Sequence, residues 1–454
     1  MNIYGDKFQE HSEVCEQCRK HPSDLCPTGL AALLESMSDE VENLNNFSNK
    51  FQDHSDVCEQ CREHPFDLCP TGFSTLLESI PQHINSLTLD SERVMHHSDA
   101  GSGKLAADMT ELASRFRGSL LGALLGDVIG AVVEAESPGY IRKAFGSIED
   151  ILAETEIAEA LGNPPWRVGR YTDDTQMMIS VAEWLIEDES LSSQDLLRRF
   201  SQACNPSRRY GPGTEAILHA FPANEDQWQS LSRMSFPQGS YGNGSAMRVA
   251  PVGLLFHRDL DGLASASAAS SRPTHSHPLA YQGALLQSSA VAAAVRMEKI
   301  DANLFLRALR IGLARHAAGK GQDTTAFWEA LDVVEDGIRA GTEIDEMADR
   351  LGTGTAALKS VPMALFCFLA NNDSYADTIQ AAVFAGGDTD TIAAMAGAIA
   401  GAHLGEQAIP SHWLAEVREN ERGPDWFREL ASRLFHRFTT DSGNGMQRIV
   451  GCNG

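Results

Sequence analysis

The larger part of this chain predicts an all-α globule, on three observations. Runs of helical period follow one another from about Leu112 to residue 438, strand-type alternation is nearly absent, and the most apolar runs are made of small residues. At 454 residues the chain is about three times the usual domain length, so one large core and an accessory piece are expected. Its 43% hydrophobic and 22% charged residues are ordinary for a globular protein. The net charge of −26 argues against nucleic acid as a partner held through its phosphates. Negative substrates stay open, because bound cations and backbone amides receive phosphate locally. There is no basic n-region with an apolar h-region, and no uninterrupted run of 18 apolar residues. The expectation is a cytoplasmic protein without a membrane partner.

A direct repeat opens the chain. Residues 7–36 return at 50–79, and six of the nine cysteines lie in the two units. Each unit holds a Cys-x-x-Cys, a third Cys eight residues on, and two histidines. Three thiolates and one imidazole close a tetrahedral zinc site. The ligands expected are His11, Cys15, Cys18 and Cys26 in unit 1 (residues 1–43), and His54, Cys58, Cys61 and Cys69 in unit 2 (44–85). His11 is preferred to His21, and His54 to His64, because His-x-x-x-Cys puts both ligands one helical turn apart while Pro22 turns the chain at His21. A metal-free helical hairpin or a redox pair are the alternatives. Residues 1–110 carry 7 basic against 19 acidic side chains, so recruitment of a protein partner suits this region better than nucleic acid.

Residues 86–110 read as a linker, with the flexible run His96-His-Ser-Asp-Ala-Gly-Ser-Gly-Lys104. A catalytic domain is expected over 111–438 and a disordered tail over 439–454. The domain opens on Arg115 to Glu134, an apolar helix ending in acids, in which Gly118, Gly122, Gly126 and Gly130 form one smooth stripe. Each glycine costs a helix about 1 kcal/mol, so a stripe of four implies a close packing partner. Gly169-Arg-Tyr-Thr-Asp-Asp-Thr175 then leads into an amphipathic helix to Ile186. A glycine-rich loop, Gly239 to Gly253, runs into another helix, and Thr274-His-Ser-His-Pro278 precedes an Ala-rich helix at 280–296. Further helices are expected at 302–316, 323–340, 344–351, 355–370 and 376–385. The last motif, Ala385-Gly-Gly-Asp-Thr-Asp-Thr391, opens a helix with almost no side-chain bulk.

Two acidic clusters thus stand at helix starts, where the macrodipole and unpaired N–H groups favour carboxylates. Alone, Asp388 would read as an N-cap. If both openings meet, Asp173, Asp174, Asp388 and Asp390 repel one another unless cations lie between them. An all-oxygen ligand set with Thr172 and Thr391 favours Mg²⁺ or Mn²⁺, and two such ions fit a dinuclear hydrolase. The turn at Gly242–Ser245 has the chemistry for pyrophosphate, His275 can donate to a phosphate oxygen, and Glu134 is a candidate general base or water orienter.

Five motifs in this order, Gly126-Asp-Val-Ile-Gly-x-x-x-Glu134, Tyr171-Thr-Asp-Asp-Thr175, Gly242-Asn-Gly-Ser-Ala-Met-Arg248, Thr274-His-Ser-His-Pro278 and Gly386-Gly-Asp-Thr-Asp-Thr391, resemble the ADP-ribosylglycohydrolase family. The similarity runs over roughly 112–435 and does not extend to the repeats. It implies an all-α orthogonal multi-helix fold, two Mg²⁺ or Mn²⁺ ions, and hydrolysis of the bond from ribose C1″ of ADP-ribose to an acceptor. By the same resemblance Thr172, Asp173, Asp174, Asp388, Asp390 and Thr391 are metal ligands, Asp390 bridging the ions. Glu134 and Asp173 belong to the catalytic set, and Gly242, Asn243, Gly244, Ser245, Met247 and His275 line the diphosphate and ribose pocket. An ADP-ribosylated protein is the expected substrate. The alternatives are a non-catalytic ADP-ribose-binding protein, or a hydrolase of O-acetyl-ADP-ribose or poly(ADP-ribose).

The zinc reading has a direct check: residues 1–100 expressed alone should carry one zinc per repeat unit by elemental analysis, and fewer would defeat it.

Overall fold

The glycine stripe finds its partner in the small-residue helix at the other end of the domain. In the computed structural model, which describes residues 101–153, 169–188, 190–318, 323–419 and 421–450, the first helix, α1, is Gly101–Gly130. It lies against Thr389–Leu404 in antiparallel register. A methyl group added at Gly118, Gly122, Gly126 or Gly130 would strike the backbone oxygen of Gly401, Gly397, Ala393 or Thr389, respectively. Gly397 and Gly401 answer in kind, since a methyl there would strike Gly122 O and Gly118 O. Backbone therefore meets backbone at each of these positions. Bonds across the seam hold the register: Ser119 Oγ donates to Ala398 O at 2.9 Å and Thr389 Oγ1 to Gly130 O at 2.7 Å.

The other helices wrap this pair. In chain order they include α2, Asp173–Glu187; α3, Ala250–Leu255; α4, Leu260–Ser271; α5, Pro278–Ala294; α6, Ala357–Ala370; α7, Tyr375–Phe384; α8, the Thr389–Leu404 helix just described; and α9, Pro424–Val450. Helices at Ala302–Ala318, Thr325–Ala340 and Ile344–Leu351 complete the series expected between α5 and α6. Among the described residues there is no strand, only an isolated bridge between Gly242 and Ala356, so the all-α expectation holds. No helix among them is long and apolar enough to cross a membrane.

The apolar faces read from the sequence become one core. Leu120, Leu121, Leu124, Leu125 and Val128 of α1 are buried with Ile392, Met395 and Ile399 of α8, and α5 is buried nearly all round. Tyr375 of α7 reaches into the seam, its hydroxyl donating to Gly122 O at 2.9 Å.

These helices, apart from Ala314–Ala318, belong to a unit formed by Ser98–Leu313 and Gln322–Gly454. The repeats and their eight expected zinc ligands lie outside the described residues. Helix α1 starts at Gly101 and α9 ends at Val450, so both extend past the 111–438 span. Both extensions follow from helix propagation: once Phe116, or Phe427, Leu430 and Leu434, is anchored in the core, each further helical residue adds a hydrogen bond without a new nucleus.

Gly126→Ala tests the seam. In an exposed helix the change would stabilise by about 1 kcal/mol. Here the methyl would strike the Ala393 carbonyl, so urea unfolding should show a loss of about 1–3 kcal/mol. An unchanged or raised midpoint would refute close contact.

Candidate active site

Because the seam is antiparallel, the C-terminal end of α1 meets the N-terminal end of α8. Past Gly130 the chain makes a turn, so Glu134 stands beyond the helix, not on its last turn as the sequence suggested. Ala135 follows with a left-handed backbone, φ 68°. Its N–H donates to Gly387 O at 2.7 Å and Gly387 N–H returns a bond to Glu136 O at 2.9 Å. Gly386 and Gly387 have φ of 71° and 75°, which only glycine adopts without strain. The Glu134 turn and the Asp388 turn are thereby tied into one piece.

Asp388 holds the N-cap position of α8, but its side chain caps no amide of that helix. It turns instead to Asn243, whose Nδ2 donates to Asp388 Oδ2 at 2.5 Å, while Thr353 O accepts the Asp388 N–H at 2.8 Å. Carboxylate oxygens of Glu134, Asp388 and Asp390 lie within 4.8 Å of one another. The second acidic opening joins them. Thr172 caps α2, its Oγ1 accepting from Asp174 N at 3.3 Å, and Thr391 Oγ1 of α8 reaches Asp174 Oδ2 at 3.5 Å. Both predicted helix openings therefore converge.

One residue that the sequence reading passed over makes this possible. Asp127, fully buried on α1, accepts from Thr172 N and Thr175 N at 3.1 Å. The cap residue and the third amide of α2 are thus satisfied by a carboxylate from another helix, and Asp174 N by Thr172 Oγ1, so neither Asp173 nor Asp174 serves as the cap. The available signal was a lone acid within an apolar helix, which burial makes expensive unless it is bonded.

The electrostatics are those of a site built for positive charge. Burial pushes Asp127 up to about 6 and Asp388 likewise to about 6, although their hydrogen bonds pull the other way. Asp173, Asp174 and Asp390 are raised well above the carboxylate range, first by burial and then by neighbouring acids: Asp127 acts most on Asp173, Asp390 on Asp174, and Asp388 on Asp390. Asp174 Oδ1 is buried without a hydrogen-bond partner, and Asp173 alone of the four aspartates is half-buried. Hard oxygen donors, mutual repulsion and an unsatisfied buried carboxylate oxygen fit divalent cations of the Mg²⁺ type.

Beside the acids lies the second group of predicted residues. Asn243–Ser245 form a 3₁₀ turn, with Gly242 N bonded to Ser240 Oγ at 3.2 Å and Asn243 N to Thr355 O at 2.9 Å. Those two amides are already engaged, so the turn offers fewer donors to an anion than its sequence suggested. Ser245 is fully buried and its hydroxyl donates to Ala280 O at 3.0 Å. Met247 is buried, and the His275 ring lies against the Gly244 backbone. Burial pushes His275 down to about 3, so it is neutral. Arg248, wholly buried, donates to Thr274 Oγ1 at 3.0 Å, and that hydroxyl stands 2.7 Å from His275 Nδ1. With Arg248 donating to it, the threonine hydroxyl can give its own proton to Nδ1, the arrangement in which Nε2 carries the N–H on the Gly242–Gly244 side. Sequence reading did not single out Arg248, since a single arginine in a loop carries no sign of burial.

The chain has known relatives. The ADP-ribosylglycohydrolase family model matches residues 108–444. This chain belongs to that family. It is 32% identical to "ADP-ribosylhydrolase ARH3" of Bos taurus over 357 residues, covering 71% of this chain and 94% of that protein. The protein of the same name from Xenopus tropicalis is 34% identical, with 70% and 95% covered. A solved "ADP-ribosylglycohydrolase-related protein complex" chain superimposes with a TM-score of 0.53 at 26% identity, covering 72% of this chain and 99% of that one. As a member of this family, the chain is a glycosidase that hydrolyses ADP-ribose linkages.

Repulsion among the acids predicts a simple signature. In metal-free buffer Asp390→Asn should melt above the parent protein by a few degrees, because one like charge is removed. Added Mn²⁺ should raise the parent's melting temperature and move the variant's much less. A variant that melts lower without metal, or gains as much from Mn²⁺, would show that the acids do not face one another as described.

Proposed function

We propose that this chain is a Mg²⁺- or Mn²⁺-dependent ADP-ribosylhydrolase that releases ADP-ribose from modified proteins. The observation that carries the reading is the meeting of two acidic helix openings, at Thr172–Asp174 and Asp388–Thr391, beside Glu134. Thr172, Asp173, Asp174, Asp388, Asp390 and Thr391 would hold two cations. Bound there, the cations would supply Lewis acidity and orient the vicinal ribose hydroxyls.

The remaining work falls to the chain. Glu134 orients the attacking water and takes up its proton as the oxygen bonds to C1″. The bond from C1″ to the acceptor breaks with its electron pair going to the acceptor, which takes up the proton that Glu134 removed from water, so the carboxylate is regenerated. His275, neutral and a donor at Nε2, offers a hydrogen bond to a phosphate or ribose oxygen without adding charge. Asn243 joins the pocket to the metal ligands by holding Asp388 (2.5 Å). Asp127 acts at one remove, keeping the start of α2 in place.

The decisive experiment incubates the protein with arginine- and serine-ADP-ribosylated substrates and with poly(ADP-ribose), in Mg²⁺ and in EDTA. Release from at least one substrate in Mg²⁺ only is expected. Glu134→Ala and Asp390→Ala should stay folded and lose at least about 10²-fold in rate. Tight binding of ADP-ribose with no release from any substrate would mark a binding protein instead, and full activity in both variants would overturn the assignment.

A further inference from the structure

Among the described residues only three non-glycine residues have left-handed backbone, and two of them flank one ion pair. Arg209, φ 64°, pairs its Nη1 with Glu134 Oε2, and Ala135, φ 68°, directly follows that glutamate. Each such residue costs roughly 1–2 kcal/mol, so the fold must hold both in place.

The surroundings of Arg209 show how. Arg208 grips Glu419 with two bonds, of 2.5 and 3.0 Å, donates to Tyr171 O at 2.7 Å, and lies over the Tyr171 ring at 3.8 Å. Tyr210 on the other side is buried. Held at both neighbours, the backbone of Arg209 is set to deliver its side chain toward the acids. At the other end, Ala135 is fixed by its bond to Gly387. The pair is therefore placed from both sides, and it is not a chance contact of two long surface side chains.

Glu134 shares its cluster with Asp388 and Asp390, so a guanidinium on its carboxylate is a positive charge at a site that takes divalent cations. We propose that Arg209 is a built-in counter-ion of the acidic cluster: it parks Glu134 while the acids carry no cation and surrenders it when divalent ions load. The proposal rests on the assignment of Asp388 and Asp390 as cation ligands above. Arg209 is in these terms a positioning residue. Its charge opposes cation loading, which sets the site to a higher threshold of metal concentration.

With the two side chains 29% and 26% exposed, the charge is partly screened, and its removal should tighten divalent binding by roughly three- to tenfold. The test is Mn²⁺ binding by the full chain, followed through the electron paramagnetic resonance signal of free Mn²⁺. Arg209→Gly removes the charge and keeps the left-handed backbone at no cost. Arg209→Gln removes the charge with a side chain of similar length, and Arg209→Lys keeps the charge but loses the fork. Both neutral variants should bind Mn²⁺ more tightly by that factor, with Arg209→Lys within about twofold of the parent.

Unchanged or weaker binding in the neutral variants would overturn the proposal. So would Arg209→Lys binding as tightly as Arg209→Gly, since charge would not then be the cause. Absence of Mn²⁺ binding from every form would overturn this proposal together with the cation reading. The expected shifts in a protein that releases no ADP-ribose would sustain the counter-ion and sink only the hydrolase reading.

Discussion

The contact on which this domain depends is backbone against backbone between α1 and α8. Side chains on the stripe would force the helices apart, and the acids at the end of α8 would move away from Glu134 with them. Four glycines at every fourth position supply the closeness, while Gly397 and Gly401 supply it from the other helix. The sacrifice of helix propensity is a few kcal/mol on one side alone. It is offset by dispersion along the seam and by the bonds of Ser119, Thr389 and Tyr375 across it.

Closeness has an electrostatic consequence. Helix starts α2 and α8 bring their positive dipole ends to the same place, which favours carboxylates there. The carboxylates outnumber what those dipoles can balance, as the raised protonation of Asp173, Asp174 and Asp390 indicates. The fold thus carries an unfavourable concentration of charge in its most tightly packed region. Structural economy alone would have placed neutral caps at these positions.

Much of this was legible in the sequence because it is written in spacing. A glycine every fourth residue signals a helix seam, and Asp-x-Asp after two glycines signals a helix opening. Gly386 and Gly387 make the turn into it with positive φ. What escaped notice has no period. Asp127 reads as an interruption of an apolar run until Thr172 and Thr175 are seen to bond to it. Arg209 and Glu134 lie far apart along the chain, and nothing local to either announces their meeting. The pocket turn was read with more free amides than it has, because a Gly-Asn-Gly-Ser sequence does not disclose that Thr355 O already occupies one of them. Helix α9 runs through the glycines at 443 and 445, which weaken a helix without forbidding it.

The Asn243 amide occupies an unusual position, shared between the pocket wall and the acids. It reaches Asp388 Oδ2 with one N–H and Ser360 Oγ, at 2.9 Å, with the other. A ligand that shifts the turn must also shift the carboxylate, so under the proposed function nucleotide and ion occupancy would be thermodynamically linked. By reciprocity, whatever factor the nucleotide lends to ion affinity, the ion returns in full.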